Sequence, residues 1–145
     1  MTSGVTERDR AKADRQAAIL HEAARLFAER GFSGVSLEEL GAAVGVSGPA
    51  LYRHFANKQA LLGAILIGVS ERLLAGGRRV VAEQTAPVRQ LTAIIAFHVD
   101  FALSDADVIR VQDRDLPSLS DDDRHTVRRL QREYIEVWIL SLIHI

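Results

Sequence analysis

The 145-residue chain has no cysteine, three prolines and a single tryptophan. Without thiols it forms no disulfide, no thiolate metal site and no cysteine nucleophile. So few prolines leave long helices uninterrupted. Charge of one sign is also lacking. The formal net charge is −1, which is not the balance of a bulk nucleic-acid binder, although a sequence-specific reader needs only a local basic face. No apolar run reaches the length of a membrane span, and the polar start shows no signal peptide. A cytoplasmic protein with no membrane partner is expected. The chain has no glycine-rich phosphate loop, and no set of nucleophile, base and orienting group can be assembled, so no enzyme is expected. The five histidines, His21, His54, His98, His125 and His144, fall in no zinc spacing, and neither metal nor cofactor is expected. Strand-like alternation, internal repeats and low-complexity tracts are missing too. What is present is helical periodicity and 48% hydrophobic residues, enough for a core. The fold class is all-α.

Residues 1–12 are polar, without apolar period, and read as a disordered arm. A helix follows from Ala13 to Arg30, with Ile19, Ala23 and Phe27 on one ladder, and Gly31 ends it. Between Val35 and Lys58 the sequence VSLEELGAAVGVSGPALYRHFANK reads as two short helices around a tight turn. Ser36 caps the first, with Glu39 closing a capping box. Leu37, Leu40 and Val44 give it one apolar stripe, and Gly45 ends it in the left-handed conformation. Ser47 caps the second, Pro49 sits near its first position, and Leu51 and Phe55 share its buried face. This is a helix-turn-helix unit. Gly48 and Ala50 are small enough for close approach to a groove, and Tyr52, Arg53, His54 and Lys58 carry donors. Ile19, Phe27, Leu40, Val44, Leu51 and Phe55 are the expected small core. On spacing alone, DNA binding and a surface-decorated helical hairpin stand about even.

The stretch GFSGVSLEELGAAVGVSGPALYRHFANKQALL closely resembles the DNA-binding domain of the tetracycline-repressor-like (TetR) family of bacterial regulators, from Arg15 to about Leu74. Its most specific element is Y-x-H-F-x-x-K, here Tyr52, His54, Phe55 and Lys58. The resemblance implies a three-helix reader at 13–60, a connecting helix, and a helical ligand-binding and dimerisation domain at 61–139. It implies phosphate contacts from Ser36, Ser47, Tyr52, His54 and Lys58. Gly48, Pro49, Ala50 and Arg53 would then lie at base edges. The implied function is a ligand-responsive repressor that binds double-stranded operator DNA as a homodimer and is released by a small molecule. The other class left open is a non-enzymatic helical interaction module without DNA binding.

Beyond the reader, Asn57 caps a helix carrying Leu62, Ile65, Leu66, Val69 and Leu73 to about Leu74; Gly76 and Gly77 read as a break or bend, with continuation through Arg78 to Glu83 as the other reading. Pro87 opens another helix, to about Leu103, whose broad apolar face holds Leu91, Ile94, Ile95, His98, Val99 and Ala102. Ser104-Asp105 reads as a cap for a short helix, Asp107 to Arg114. Ser120 with Asp123 opens a last helix, Arg124 to Ile139, with Val127, Leu130, Tyr134 and Val137 or Trp138 on its apolar side. Ile95, His98, Val99, Tyr134 and Trp138 are the expected ligand pocket, with His98 as polar anchor. The effector is read as apolar or acyl-thioester-like, the latter because Arg128 and Arg132 stand one helical turn apart and suit an anion; the other reading of that pair is a solvated helix face behind Asp121 to Asp123. Residues 140–145 (LSLIHI) read as a translated sequencing adapter and are expected to be a non-native tail. The chain is expected to stop before the family's dimer helices.

Overall fold

The computed structural model describes residues 4–145. Helix α1 is Glu7–Arg30. It starts well before its apolar period because Thr6 and Asp9 form a capping box. The Thr6 hydroxyl accepts from the Asp9 N–H at 3.1 Å, and the Asp9 carboxylate accepts from the Thr6 N–H at 3.4 Å. The expected disordered arm is therefore helical from Glu7, with exposed side chains, while residues 1–3 lie outside the described part. Gly31, at φ +79°, ends α1, and a 3-10 turn covers Phe32–Gly34.

Helices α2 (Leu37–Val44) and α3 (Gly48–His54) follow. The Ser36 hydroxyl accepts from the Glu39 N–H at 3.2 Å, but the second half of the expected capping box does not form. The Glu39 carboxylate instead pairs with Arg30 of α1 and accepts from the Ser36 hydroxyl. Gly45 takes φ +73°. A Cβ on Gly41 would lie 2.9 Å from the Val46 carbonyl oxygen, so the tight turn needs glycine there as well.

Helix α4 runs Lys58–Ala82, with Asn57 accepting from the Ala60 N–H at 2.8 Å. It passes through Gly76 and Gly77 without a break. A Cβ on Gly76 would overlap the Phe97 ring, and one on Gly77 would lie 2.8 Å from Tyr134. The two glycines let neighbouring helices close on α4 rather than bend it. By length and composition α4 also corrects the membrane reading, since it contains a window long and apolar enough to cross a bilayer. Half of that window is buried inside the bundle, the place of a core helix.

Helix α5 is Pro87–Ser104, α6 is Ala106–Asp115, a 3-10 turn covers Leu116–Ser118, and α7 is Asp121–Ile143. Asp105 stands at the start of α6 but makes no side-chain cap bond. Ser120 caps α7, accepting from the Asp123 N–H at 3.2 Å, and three aspartates in its first turn suit the helix dipole. The helix continues through the stretch expected as a tail, where Ser141 is buried and its hydroxyl donates to the Val137 carbonyl at 3.0 Å.

The described residues are all-α, with no strand. The first hydrophobic cluster gathers Ile19, Phe27, Leu40, Leu51 and Phe55, with Val44 packed at its edge. It does not stop at the expected boundary at residue 60. Leu61, Leu62, Ile65 and Leu66 of α4, Val111 of α6, Leu119 just before α7 and Val127 of α7 belong to the same cluster. A second, smaller cluster gathers Leu74, Ile94, Leu130 and Tyr134. Helix α4 runs through both. A second tie joins the halves. The Arg114 guanidinium of α6 donates to the Phe27 carbonyl and, at 3.3 Å, to the Ala28 carbonyl near the end of α1, while pairing with buried Asp115 at 3.0 Å.

Candidate functional site

Helix α3 is held by its inner face. Leu51 is fully buried and Phe55 nearly so, which fixes the angle at which the outer face meets solvent. On that outer face Tyr52 is 51% exposed, and Pro49 and Arg53 are exposed beside it. Gly48 and Ala50 are half-buried at the start of the helix. The Ser47 hydroxyl accepts from the Ala50 N–H at 3.2 Å, which leaves its own hydrogen free to donate. Ser36 is more engaged, because its hydroxyl both accepts from the Glu39 N–H and donates to the Glu39 carboxylate at 3.3 Å. His54 is half-buried, and its Nδ1 is enclosed with no partner among the described residues, so Nε2 is the nitrogen left to meet a ligand.

Lys58 is placed differently from a free surface lysine. Its Nζ donates to the Phe32 carbonyl at 2.6 Å and stands 4.2 Å from the Phe32 ring centre. Phe32 in turn packs on Phe27, with ring centres 5.5 Å apart. An ammonium has three donors, so Lys58 ties α4 to the 3-10 turn that follows α1 and keeps donors for an anion.

The second constellation lies at the other end of α4. A cavity of about 490 Å³ opens between α4, α5, α6 and α7. His98, Tyr134 and Trp138 form its aromatic wall. His98 Nδ1 and the Tyr134 hydroxyl are hydrogen-bonded at 2.8 Å, and their rings stack at 5.8 Å. Trp138 meets both rings edge-on. Burial pushes the Tyr134 phenol above its ordinary range, and the Trp138 indole partly offsets this. Ser70, Gln112 and Gln131 add polar groups, and Leu73, Leu130 and Ile135 add apolar wall. Ile95 and Val99 are not part of it. They are 44% and 50% exposed, turned by one helical residue from Ile94 and His98 toward solvent. The broad apolar face of α5 is really two faces: Ile94 and His98 point inward one turn apart, while Ile95 and Val99 point outward. Arg128 and Arg132 are exposed and do not line the cavity. The sequence reading missed Ser70, Gln112 and Gln131, because polar residues on three separate helices leave no pattern that joins them. It also missed Arg114, which looks like any surface arginine until α1 is placed beside it.

Together these features define a helix-turn-helix protein whose reader shares one long helix with a cavity-bearing bundle. The model of the family described as bacterial regulatory proteins, tetR family, matches residues 19–65. The transcriptional repressor KstR2 of Rhodococcus jostii is 26% identical over 129 residues, 88% of this chain and 63% of that protein. The chain thus spans less than two thirds of that relative's length. The crystal structure of the TetR-family regulator PfmR from Thermus thermophilus superposes with a TM-score of 0.80 at 29% identity, covering 94% of this chain and 69% of PfmR. AibR, solved in complex with isovaleryl coenzyme A and operator DNA, superposes with a TM-score of 0.76 at 25% identity, covering 88% of this chain and 69% of AibR. Over residues 19–65 the chain thus matches the tetR family of bacterial regulatory proteins, and its fold is that of the TetR-family regulators it superposes on.

Proposed function

We propose that the chain acts as a ligand-responsive DNA-binding transcriptional regulator, a repressor that binds operator DNA as a dimer and is released by a small molecule. The observation that supports this most is the exposed outer face of α3, with Tyr52 and Arg53 beside the Ser47 cap, on a helix pinned by Leu51 and Phe55. In this reading Ser36, Ser47, Tyr52, His54 and Lys58 hold phosphates and fix the register. Gly48, Pro49, Ala50 and Arg53 lie at base edges, with Arg53 able to fork onto guanine in the major groove. Residues 13–60 are the reader and 61–139 the ligand and dimerisation part. The effector occupies the α4–α7 cavity, at His98, Tyr134 and Trp138. Because α4 forms a wall of that cavity and begins at Lys58, an effector that favours one position of α4 shifts the reader with it. AibR, seen with an acyl thioester and operator DNA together, supports coupling of this kind. No catalytic role is assigned, and action on operator DNA places the protein in the cytoplasm.

The test is a titration of duplex DNA across salt concentration. A regulator gives binding that weakens steeply as salt rises, with a surplus of affinity for one sequence. Absence of binding at low salt would leave a helical interaction module instead.

A further inference from the structure

Helix α6 meets three different surroundings within about one turn. Val111 is fully buried in the reader's apolar cluster, Gln112 lines the cavity, and Arg114 reaches the end of α1. Asp105, at the start of α6, makes no side-chain cap bond. Among the described residues, the side-chain hydrogen bonds of α6 are those of Arg114 and Asp115, at its reader end.

The end of α1 needs a donor from elsewhere, because the last carbonyls of a helix have no partner of their own. The Gly31 N–H bonds back to the Phe27 carbonyl at 2.8 Å, and the chain then leaves the helix, so the Ala28 carbonyl gets no helical donor. Arg114 supplies one. Its guanidinium donates to the Ala28 carbonyl at 3.3 Å and also to the Phe27 carbonyl. Its other edge is seated on Asp115, with Nε 3.2 and 3.3 Å from the two carboxylate oxygens and Nη2 3.0 Å from one of them. Asp115 is buried, and burying a carboxylate is costly unless it is paired. The positive charge also suits the negative end of the α1 dipole. The apolar contact of Val111 holds α6 against the reader but has no direction of its own. A planar guanidinium between a carboxylate and two carbonyls does have one. It fixes which turn of α6 meets which turn of α1.

We propose that Arg114, seated by Asp115, is a positioning residue that sets the register of the reader on α6, so that DNA held by the reader is felt at the cavity wall. The proposal rests on reading α3 as a DNA reader, and it names α6 as a route between the two sites beside α4. By reciprocity, what alters the cavity wall alters the reader by the same route.

The test uses the full chain. Its single tryptophan, Trp138, stands on the wall of the cavity that Gln112 also lines. The probe is the duplex that the chain selects most strongly from a random pool, titrated while Trp138 emission is followed. Binding itself is read from the anisotropy of a labelled strand. We expect DNA to shift Trp138 emission. Arg114→Gln and Asp115→Asn should each bind an unselected random duplex within about twofold of the parent, since neither residue lies on the α3 face. Each should lose at least about half of the emission shift, and the double substitution should lose no more than the worse single one, because the two side chains act as a unit. Arg114→Lys keeps a charge beside Asp115 but cannot bridge carboxylate and carbonyls at once, and should recover only part of the shift. Should Arg114→Gln fail to fold, the lysine variant decides alone: a full shift overturns the proposal and a reduced one upholds it. An unchanged shift in folded variants, or a parent that binds DNA with no shift, would overturn the proposal and leave the DNA reader in place. Shift and random-duplex binding falling together would mark a structural residue only and overturn it too. A parent that binds no duplex would overturn both.

Discussion

The two ends of α4 sit in opposite surroundings. Its first turns are packed into a closed apolar cluster where Phe27, Leu51, Leu61 and Leu62 have no exposed surface. Its later turns face a small cluster, an open cavity and a stacked histidine and tyrosine. A close-packed interior transmits displacement, because its side chains cannot give way independently. A region with unfilled space and polar walls can take up a guest and change shape. One helix thus joins a close-packed part to a part with unfilled space.

The largest test of this contrast is to separate the ends. A fragment ending at Ala60 loses Leu61, Leu62, Val111, Leu119 and Val127 from the first cluster, and is expected to show no cooperative unfolding transition by circular dichroism. Cooperative unfolding of that fragment would mean the reader is self-sufficient after all. Next, Phe27→Ala should cost about 3–5 kcal/mol, whereas Leu130→Ala, beside space that is already open, should stay near about 2 kcal/mol. Equal losses in denaturant titrations would erase the distinction between closed and open ends.

Smaller effects sharpen the comparison on the DNA side. Arg53→Ala should relax preference at one base position per half-site by about 1–3 kcal/mol, and an unchanged motif after selection would defeat that role. Lys58→Ala should weaken binding on specific and random duplexes alike and lower the salt slope by about one unit. Loss confined to one base pair would make Lys58 a reader. The smallest effect concerns alkaline pH. Tyr134 has its ionisation raised by burial from an ordinary value of 10.0, so the folded state holds the phenol neutral. The stability this contributes is complete below that value and is lost as pH rises through the raised folded one. Tyr134→Phe should flatten that alkaline decline, and a decline identical to the parent's would show that other groups cause it.

Much of this architecture could be read from residues whose role is local. Ser36, Ser47, Asn57 and Ser120 each act as caps where a short polar side chain precedes an apolar period, and Pro87 opens α5. The start of α1 was not legible by the same route, since Thr6 and Asp9 cap a stretch with no apolar face to announce it. Gly76 and Gly77 read as a break because glycine disfavours helix, but their reason lies across the interface in Phe97 and Tyr134. For the sites, the outer face of α3 was visible in the sequence because one short helix carries it. The cavity was only half visible. His98, Tyr134 and Trp138 stand out as aromatic or titratable residues on apolar faces, whereas a helix phase error of one residue brought in Ile95 and Val99, and Gln112 and Gln131 carry no local signal.

Arg114 adds a mechanical consequence. The reader is fastened to the bundle through the chain where α4 begins, and again where the Arg114 guanidinium grips the Phe27 and Ala28 carbonyls. Val111, Leu119 and Val127 pack into the same apolar cluster as Phe27 between those two ties. The joint is therefore a face rather than a pair of points, and a shift of α4 would carry the reader with it as one body.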